Sequence, residues 1–188
     1  MRRGRTATTA GQTRGQIIDA FSIRDGPAEI EDRAIPGHWE GDLLSGARNS
    51  YVATLVERSS RFVMLVKVSG KDSDSVVSAL IARVQHLPQG VMASLTWDRG
   101  PKLAYHRKFT VATDVSVYFC DPKSPWQRGS NENTNGLLRQ YFPNGTYLSV
   151  YTQHDLDRVA LGLNTRPRKT LGFRTPVDTF ERAVALTG

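Results

Sequence analysis

The chain has 188 residues, of which 39% are hydrophobic, and this is enough for one compact domain with its own core. Its formal net charge of +7 favours a polyanionic partner such as nucleic acid over an acidic small molecule. A single cysteine excludes an internal disulfide, and no apolar run is long enough to predict a membrane span or a secretory signal, so we expect an intracellular protein.

The first part of the chain differs from the rest in amino-acid composition and in hydrophobic pattern. Residues 1 to 34 mix Arg, Gly and Thr without periodicity, which predicts a basic, extended linker before a core of residues 35 to 188. The core begins with a strand at 38 to 45. Two β-branched runs then meet at Ser59-Ser60, which predicts a hairpin and therefore three antiparallel strands.

The remaining elements alternate between helices and strands. Apolar residues recur at helical spacing over 71 to 87, and later runs predict two short buried strands, a weaker helix between them and a short final helix. The two strands fall within 90 to 98 and 115 to 121, the weaker helix around 103 to 109, and two further helices at 129 to 141 and 152 to 164. The order β-β-β-α-β-α-β-α predicts an α/β fold, with a mixed sheet flanked by helices.

Two aspartates stand at positions where such a sheet would carry a site. Asp42 lies between apolar neighbours in the first predicted strand, and Asp98 ends a predicted buried strand in "LTWDRG". A buried carboxylate is costly without a partner, and a metal ion is one partner that several carboxylates can share. For each aspartate taken alone, a salt bridge or a helix N-cap is the more common explanation.

A third acid is part of a polar helix face. At about 100° per residue, Glu132, Asn135 and Arg139 fall on one side of the predicted helix, while its apolar residues fall mainly on the other. An ordinary solvated face is the alternative. The preceding loop favours a nucleic-acid contact, because it carries Trp126 together with the polar or basic side chains of Lys123, Gln127 and Arg128.

Four motifs in order give the chain a family resemblance. They are "GHWEGDLL", "TWDRG", "CDPKSPWQRGSNENTNGLLRQYFPNGT" and "LNTRPRKTLGFRTP". The span from 35 to about 180 resembles the catalytic core of insertion-sequence 30 family transposases, within the retroviral-integrase-like group. The group's acidic pattern has a gap in the thirties between its last two acids, and here the gap is 132 − 98 = 34 positions.

The resemblance implies a fold, an activity and its residues. It implies an RNase H-like fold with a five-stranded sheet, three strands antiparallel and then two parallel. Asp42, Asp98 and Glu132 are then the catalytic acids, holding two divalent ions, Mg²⁺ or Mn²⁺, for cleavage and strand transfer of DNA. The expected DNA-contacting residues are Asn135, Arg139, Lys123, Gln127, Arg128, Arg166, Arg168 and Lys169.

The implied partners are transposon-end and target double-stranded DNA and, in the active complex, further copies of the chain. The implied location is the bacterial cytoplasm, at the nucleoid. Family members usually have an N-terminal helix-turn-helix, and we expect this chain to be a fragment that starts after it. An inactive DNA-binding remnant and another RNase H-like nuclease remain as alternatives.

Several neighbouring residues have less direct interpretations. Glu40 shares a strand face with Asp42, and we expect it to support the acids rather than join them. His38 is interpreted as structural, and Trp39 and Trp97 as core residues. After Asp98, relatives often have a glutamate where this chain has Lys102, a departure from the family pattern.

Overall fold

A five-stranded sheet forms the centre of the computed structural model, which describes residues 21–98 and 105–187. Its strands are β1 (His38–Ser45), β2 (Tyr51–Glu57), β3 (Val63–Lys67), β4 (Ser94–Trp97) and β5 (Ser116–Phe119). The strand order is β3-β2-β1-β4-β5; β2 is antiparallel to both β1 and β3, whereas β4 is parallel to both β1 and β5. The predicted mixed sheet of three antiparallel strands followed by two parallel ones is confirmed.

Five α-helices cover the sheet within the described residues. They are α1 (Ser73–Val84), α2 (His106–Thr113), α3 (Gly129–Leu138), α4 (Gln153–Asn164) and α5 (Pro176–Thr187). The helix predicted to reach residue 141 ends at Leu138, because the amides of Gln140 and Tyr141 bond three residues back and tighten the chain into a turn. No helix in the described ranges is long and apolar enough to cross a bilayer.

Side-chain alternation along the strands divides the core between the two faces of the sheet. On one face, Trp39, Leu43, Leu95 and Trp97 pack with the apolar residues of α1 and with Phe109 of α2. On the other face lie α3 and α4, which bury Leu138, Leu156, Ala160 and Leu163 against Leu44, Val52, Val56, Val63 and Leu65. Residues at even positions of β1, including Asp42, therefore face α3.

The segment from residue 21 to residue 34 lies against the core. Ser22 forms a parallel bridge with Phe119, and Ile23 and Ile30 are each only 1% exposed. Two short 3-10 turns carry these isoleucines. The proposed boundary at residue 35 stays a prediction, and residues 1–20 of the expected linker lie outside the described residues.

A close approach between β1 and β4 depends on Gly41. The ring of Trp97 lies across this glycine, and a Cβ atom built on Gly41 would overlap the ring atoms Cε3 and Cζ3. Trp97 is 1% exposed and belongs to the core, so its ring has little space into which it can move. The absence of a side chain at position 41 thus allows a tryptophan to fill the core directly beneath the strand that carries Asp42.

We predict that Gly41→Ala lowers the free energy of unfolding by about 1–3 kcal/mol, because the new methyl group forces Trp97 out of its packed position. Chemical denaturation measures the change. Gly136→Ala is the matched control: a Cβ there meets no atom within 4 Å, and alanine in a helix is about 0.5–1 kcal/mol more favourable than glycine. Equal effects of the two substitutions would show that the contact with Trp97 does not limit position 41.

Candidate active site

Asp42 is the best-connected of the three predicted acids. Its Oδ1 accepts the backbone N–H of Leu43 at 2.8 Å, and its Oδ2 accepts the Nδ2 of Asn135 at 3.2 Å. The Nη1 of Arg128 lies 3.5 Å from Oδ1, in an ion pair whose side chains are 17% and 24% exposed. The carboxylate is thus held from two sides by groups that precede or belong to α3.

Asp98 stands just past the end of β4, the strand next to β1. In the parallel pairing of β1 with β4, Glu40 is opposite Thr96, so the same register continued by two residues places Asp98 opposite Asp42. Asp98 directly follows β4 and is exposed, so the expectation that this carboxylate is buried and requires a partner is wrong. The register nevertheless brings both aspartates to the same edge and the same face of the sheet.

Glu132 lies on the first turn of α3 and is exposed. The predicted face of α3 forms: Asn135 reaches Asp42, and the Nη2 of Arg139 donates to the carbonyl of Ser45 at 3.1 Å. Successive turns of α3 therefore contact successive positions of β1, with the helix and the strand running in the same direction. Glu132 precedes Asn135 by three residues and points from the same side of the helix.

Asn131 fixes the start of α3 on the sheet. It is 0% exposed, its Oδ1 accepts the hydroxyl of Thr54 at 2.8 Å, and its backbone N–H donates to Oε2 of Glu40 at 2.8 Å. Sequence analysis overlooked Asn131, although its place beside Glu132, on the sheet-facing side of the predicted helix, was a usable signal. The residue adjoining the third acid is therefore bonded to both β1 and β2.

Glu40 itself forms a buried ion pair with Arg58. The two side chains are 0% and 3% exposed, and the Oε1 and Nε atoms are 3.1 Å apart, although their alignment does not make a hydrogen bond. Arg58 also donates to the carbonyl of Ile30. Burial lowers the pKa of Arg58 and the carboxylate of Glu40 opposes that shift, so each charge depends on the other. The expected supporting role of Glu40 stays a prediction, and this contact is in keeping with it.

Comparison with known proteins identifies the family. The family model described as "Integrase core domain" matches residues 32–125. The chain is 56% identical over its whole length to the transposase InsI for insertion sequence element IS30A of Escherichia coli (strain K12) and covers 49% of that protein. It is 51% identical to the transposase for insertion sequence element IS1086 of Cupriavidus metallidurans, where the match covers 92% of this chain and 51% of the relative.

The chain belongs to the integrase core domain family. The resemblance to the catalytic core of insertion-sequence 30 family transposases is confirmed. The chain spans about half the length of the curated relatives it matches. Among solved structures, the catalytic core domain of BIV integrase superposes with a TM-score of 0.62 at 18% identity, covering 79% of this chain and 96% of that one.

A second solved structure, the simian T-cell lymphotropic virus intasome in complex with the PP2A regulatory subunit B56 gamma, gives a TM-score of 0.58 at 23% identity. That match covers 78% of this chain and 55% of the other. Likenesses at such low identity establish the fold, and they confirm the RNase H-like architecture of this integrase core.

The donor atoms of this integrase core suit a hard cation. Asp42, Asp98 and Glu132 offer only carboxylate oxygens, the ligands preferred by Mg²⁺ and Mn²⁺. Near them, Oδ1 of Asn135 is buried, has no hydrogen-bond partner among the described residues, and is a further oxygen donor beside Asp42. Within the described ranges, no three His, Cys, Asp or Glu side chains are gathered closely enough to hold an ion. The set therefore fits a metal in the chemistry of its donor atoms.

The loop before α3 divides the predicted DNA-contacting residues into two groups. Lys123 and Trp126 are exposed, the latter by 64%. Gln127 is only 5% exposed, and its amide group binds both the backbone and the carboxylate of Asp121, so it braces the loop. Exposed residues of this loop are available to a partner, whereas Gln127 is occupied.

The basic loop after α4 is also heterogeneous. Lys169 is exposed, and so is Arg166, whose Nη2 donates to the hydroxyl of Tyr141 at 2.7 Å. Arg168 is half-buried and donates to the carbonyl of Leu163 at 3.2 Å. These roles in DNA contact stay predictions, as does the role of Lys102, which lies outside the described residues.

The remaining notable side chains near the site are structural in their contacts. His38 is 7% exposed, with Nδ1 2.8 Å from the hydroxyl of Ser94, and the ring of His106 packs edge-on against Phe119. Cys120 follows β5, and burial raises the pKa of its thiol to about 12.

We predict that Glu40→Gln lowers the free energy of unfolding by about 3–5 kcal/mol, because the guanidinium of Arg58 is left buried without its counter-charge. Denaturant titration measures this loss. Adding Arg58→Met to Glu40→Gln should recover part of the stability, since no buried charge then remains. The matched control is Glu29→Gln at an exposed position. A Glu40→Gln variant as stable as the parent would contradict the assigned pair.

A pH-dependent loss of stability should follow from His38. Burial, assisted by the charge of Arg58, lowers the pKa of His38 below its ordinary value of 6.5 in the folded chain. The unfolded chain then binds the proton more readily, so stability is complete above about pH 6.5 and falls as pH drops through the folded pKa.

Unfolding free energies measured between pH 7.5 and 5.5 should therefore decrease less in His38→Gln than in the parent chain. His154→Gln, at an exposed position on α4, is the control and should keep the parental decrease. Parallel pH curves for the parent and His38→Gln would show that His38 does not carry this dependence.

Proposed function

We propose that this chain is the catalytic core of a bacterial insertion-sequence transposase, which cuts DNA at transposon ends and joins those ends to target DNA. The observation that carries the proposal is the contact of α3 with β1, in which Asn135 bonds Asp42. That contact places the face bearing Glu132 toward Asp42, and the register of β4 adds Asp98 from the neighbouring strand.

The acids form the reactive part of the proposed site. Asp42, Asp98 and Glu132 would hold two divalent ions, Mg²⁺ or Mn²⁺, which when bound activate the attacking oxygen and stabilise the leaving oxygen of an in-line displacement at phosphorus. Asn135 orients the Asp42 carboxylate through its amide. The guanidinium of Arg128, next to Asp42, is placed to attract a phosphate oxygen to the same position.

The two proposed steps use the same geometry. In the first, a water oxygen forms a bond to phosphorus at the transposon end, and the bond from that phosphorus to the 3′ oxygen breaks, releasing a 3′-hydroxyl after proton transfer. In the second, this 3′ oxygen loses its proton and bonds to a target phosphorus, while the target's own 3′ oxygen leaves and is protonated. The first step hydrolyses one phosphodiester bond and the second exchanges one phosphodiester bond for another, and because both are in-line displacements at phosphorus, one site serves both.

Charge and exposure support DNA as the substrate. The net charge is +7, and Lys123, Arg166 and Lys169 are exposed on the loops before α3 and after α4. Such side chains bind phosphates without selecting bases, so we propose that the core itself binds double-stranded DNA with little sequence preference. Assembly of several copies on the DNA, an N-terminal helix-turn-helix outside this core and action at the nucleoid in the cytoplasm belong to the same proposal.

We predict that Asp42→Asn, Asp98→Asn and Glu132→Gln each reduce metal-dependent cleavage and joining by about a hundredfold or more, because each removes an oxygen ligand from the reacting centre. Folding should be kept, as the melting temperature will report. Glu181→Gln, an exposed change on α5, should retain parental activity. Substantial activity in any one of the three variants would remove that acid from the proposed set.

A strand-transfer assay separates this function from its alternatives. It uses pre-cut transposon-end DNA, a target duplex and Mg²⁺ or Mn²⁺, with an RNA–DNA hybrid as a parallel substrate. Joined products support the transposase core. Hybrid cleavage without joining would indicate another RNase H-like nuclease, and DNA binding without either reaction would indicate an inactive remnant.

A further inference from the structure

A second basic site lies on the far side of α3. A cavity of about 300 Å³ opens there between the first two turns of α3 and three arginines from distant parts of the chain. Its polar lining consists mainly of Arg33, Arg61, Arg168, Thr170, Ser130 and Asn133. We call this cavity the arginine pocket. In the part of the chain that the structure describes, no carboxylate lines it.

The three arginines have neutral hydrogen-bond partners. Nη2 of Arg33 donates to the carbonyl of Trp126 at 2.8 Å, Arg61 donates to the hydroxyl of Ser130, and Arg168 donates to the carbonyl of Leu163. Among the described residues, none of the three forms an ion pair with a carboxylate. Each guanidinium therefore keeps donors and a full charge that its neighbours do not balance.

The nearest acids are already bound elsewhere. Glu57 accepts the amide of Gly37 through one oxygen and the hydroxyl and amide of Ser60 through the other, and Glu40 is paired with Arg58. Burial lowers the pKa of Arg61 and the neighbouring charge of Arg33 lowers it further, whereas the carboxylates of Glu40 and Glu57 oppose this shift. Three like charges held half-buried, none of them in an ion pair among the described residues, are costly, and the pocket gains most from an anion.

The Nε atom of Arg168 is a buried donor that an anion in the pocket could satisfy. This N–H has no hydrogen-bond partner among residues 21–98 and 105–187, and an unmet buried donor costs free energy. Arg33 lies over the first residue of α3, where a side chain on Gly129 would meet its Nη2 at 3.0 Å. The first turn of α3 and the three arginines thus line the same cavity.

The position of the pocket separates it from the three acids. At about 100° per residue, Ser130 and Thr134 are each about 160° round the α3 axis from Glu132. An anion in the pocket is therefore separated from the reacting phosphorus by roughly the width of a helix, about 10 Å. A phosphate bound there would be a different one from the phosphate that reacts.

We propose that the arginine pocket binds one non-reacting phosphate of the DNA backbone and so sets how the duplex lies along α3. Planar guanidinium groups match the paired oxygens of a phosphate, and a cavity of this volume has room for one. Because the occupant is DNA, the inference rests on the proposed function. It adds Arg33 and Arg61 to the contacts expected from sequence and gives Arg168 a defined ligand.

The experiment measures binding without chemistry. Fluorescence anisotropy without divalent metal follows the chain on a labelled duplex, and a series of duplexes carries one neutral methylphosphonate at each successive position. The variants are Arg61→Gln and Arg168→Gln, and the matched control is Arg182→Gln, exposed on α5. Melting temperatures confirm that each variant is folded.

One methylphosphonate position should weaken parental binding by about tenfold, and the same position should have no effect in Arg61→Gln or Arg168→Gln. Each pocket variant should also lower the slope of log K against log salt by about one. Arg182→Gln should keep the parental pattern at every position. If no position couples to the pocket variants in a chain that binds DNA, the proposal is wrong.

A second arm distinguishes DNA from free anion. Inorganic phosphate, compared with chloride at equal ionic strength, should raise the melting temperature of the parent and leave that of an Arg61→Gln, Arg168→Gln double variant unchanged. Phosphate binding without methylphosphonate coupling would overturn the DNA assignment. Strand transfer by a chain whose pocket variants bind like the parent would overturn the pocket alone, whereas a parent that neither binds nor joins DNA would overturn the proposed function as well.

Discussion

The carboxylate of Glu40 is the interaction on which the described site depends. It is fully buried in β1, where it accepts the backbone N–H of Asn131 and faces the guanidinium of Arg58. A buried charge is tolerated only when its neighbours are fixed, so the start of α3, the end of β2 and the 3-10 turn at Ile30 are all constrained by one side chain. Once Asn131 is fixed, the direction of α3 along β1 decides where every other polar residue of that helix points.

Much of the fold could be predicted from the sequence, because the hydrophobic residues of its strands and helices recur with clear periodicity. The predicted first strand has the observed bounds, His38–Ser45, and α1 buries the valines and leucine that its spacing indicated. Prediction was less successful where only a few residues are buried. The segment before residue 35 shows no pattern, yet Ile23 and Ile30 are buried, because two isolated apolar residues give no period.

The candidate site also has features that could be predicted from the sequence and features that could not. The face formed by Glu132, Asn135 and Arg139 follows from helical geometry, and the contact of Asn135 with Asp42 follows from that face. The exposure of Asp98 could not be predicted from the sequence, because an apolar run that predicts a buried strand does not show at which residue the strand ends. Nor could sequence bring Arg33, Arg61 and Arg168 together, since three separate loops meet only after the sheet and α3 are assembled. Two of these arginines have no motif around them.

The parallel alignment of α3 with β1 has a consequence for how such chains tolerate insertions and deletions. Asn131 is locked to Glu40, and Asn135 to Asp42, so these two contacts fix the rotational phase of the helix. One residue gained or lost between them would turn the following side chains by about 100° and move Asn135 away from Asp42. A change of length in the loop between β5 and α3 leaves that phase untouched. The two contacts therefore constrain the four-residue step from Asn131 to Asn135 more tightly than the distance in sequence between the second and third acids.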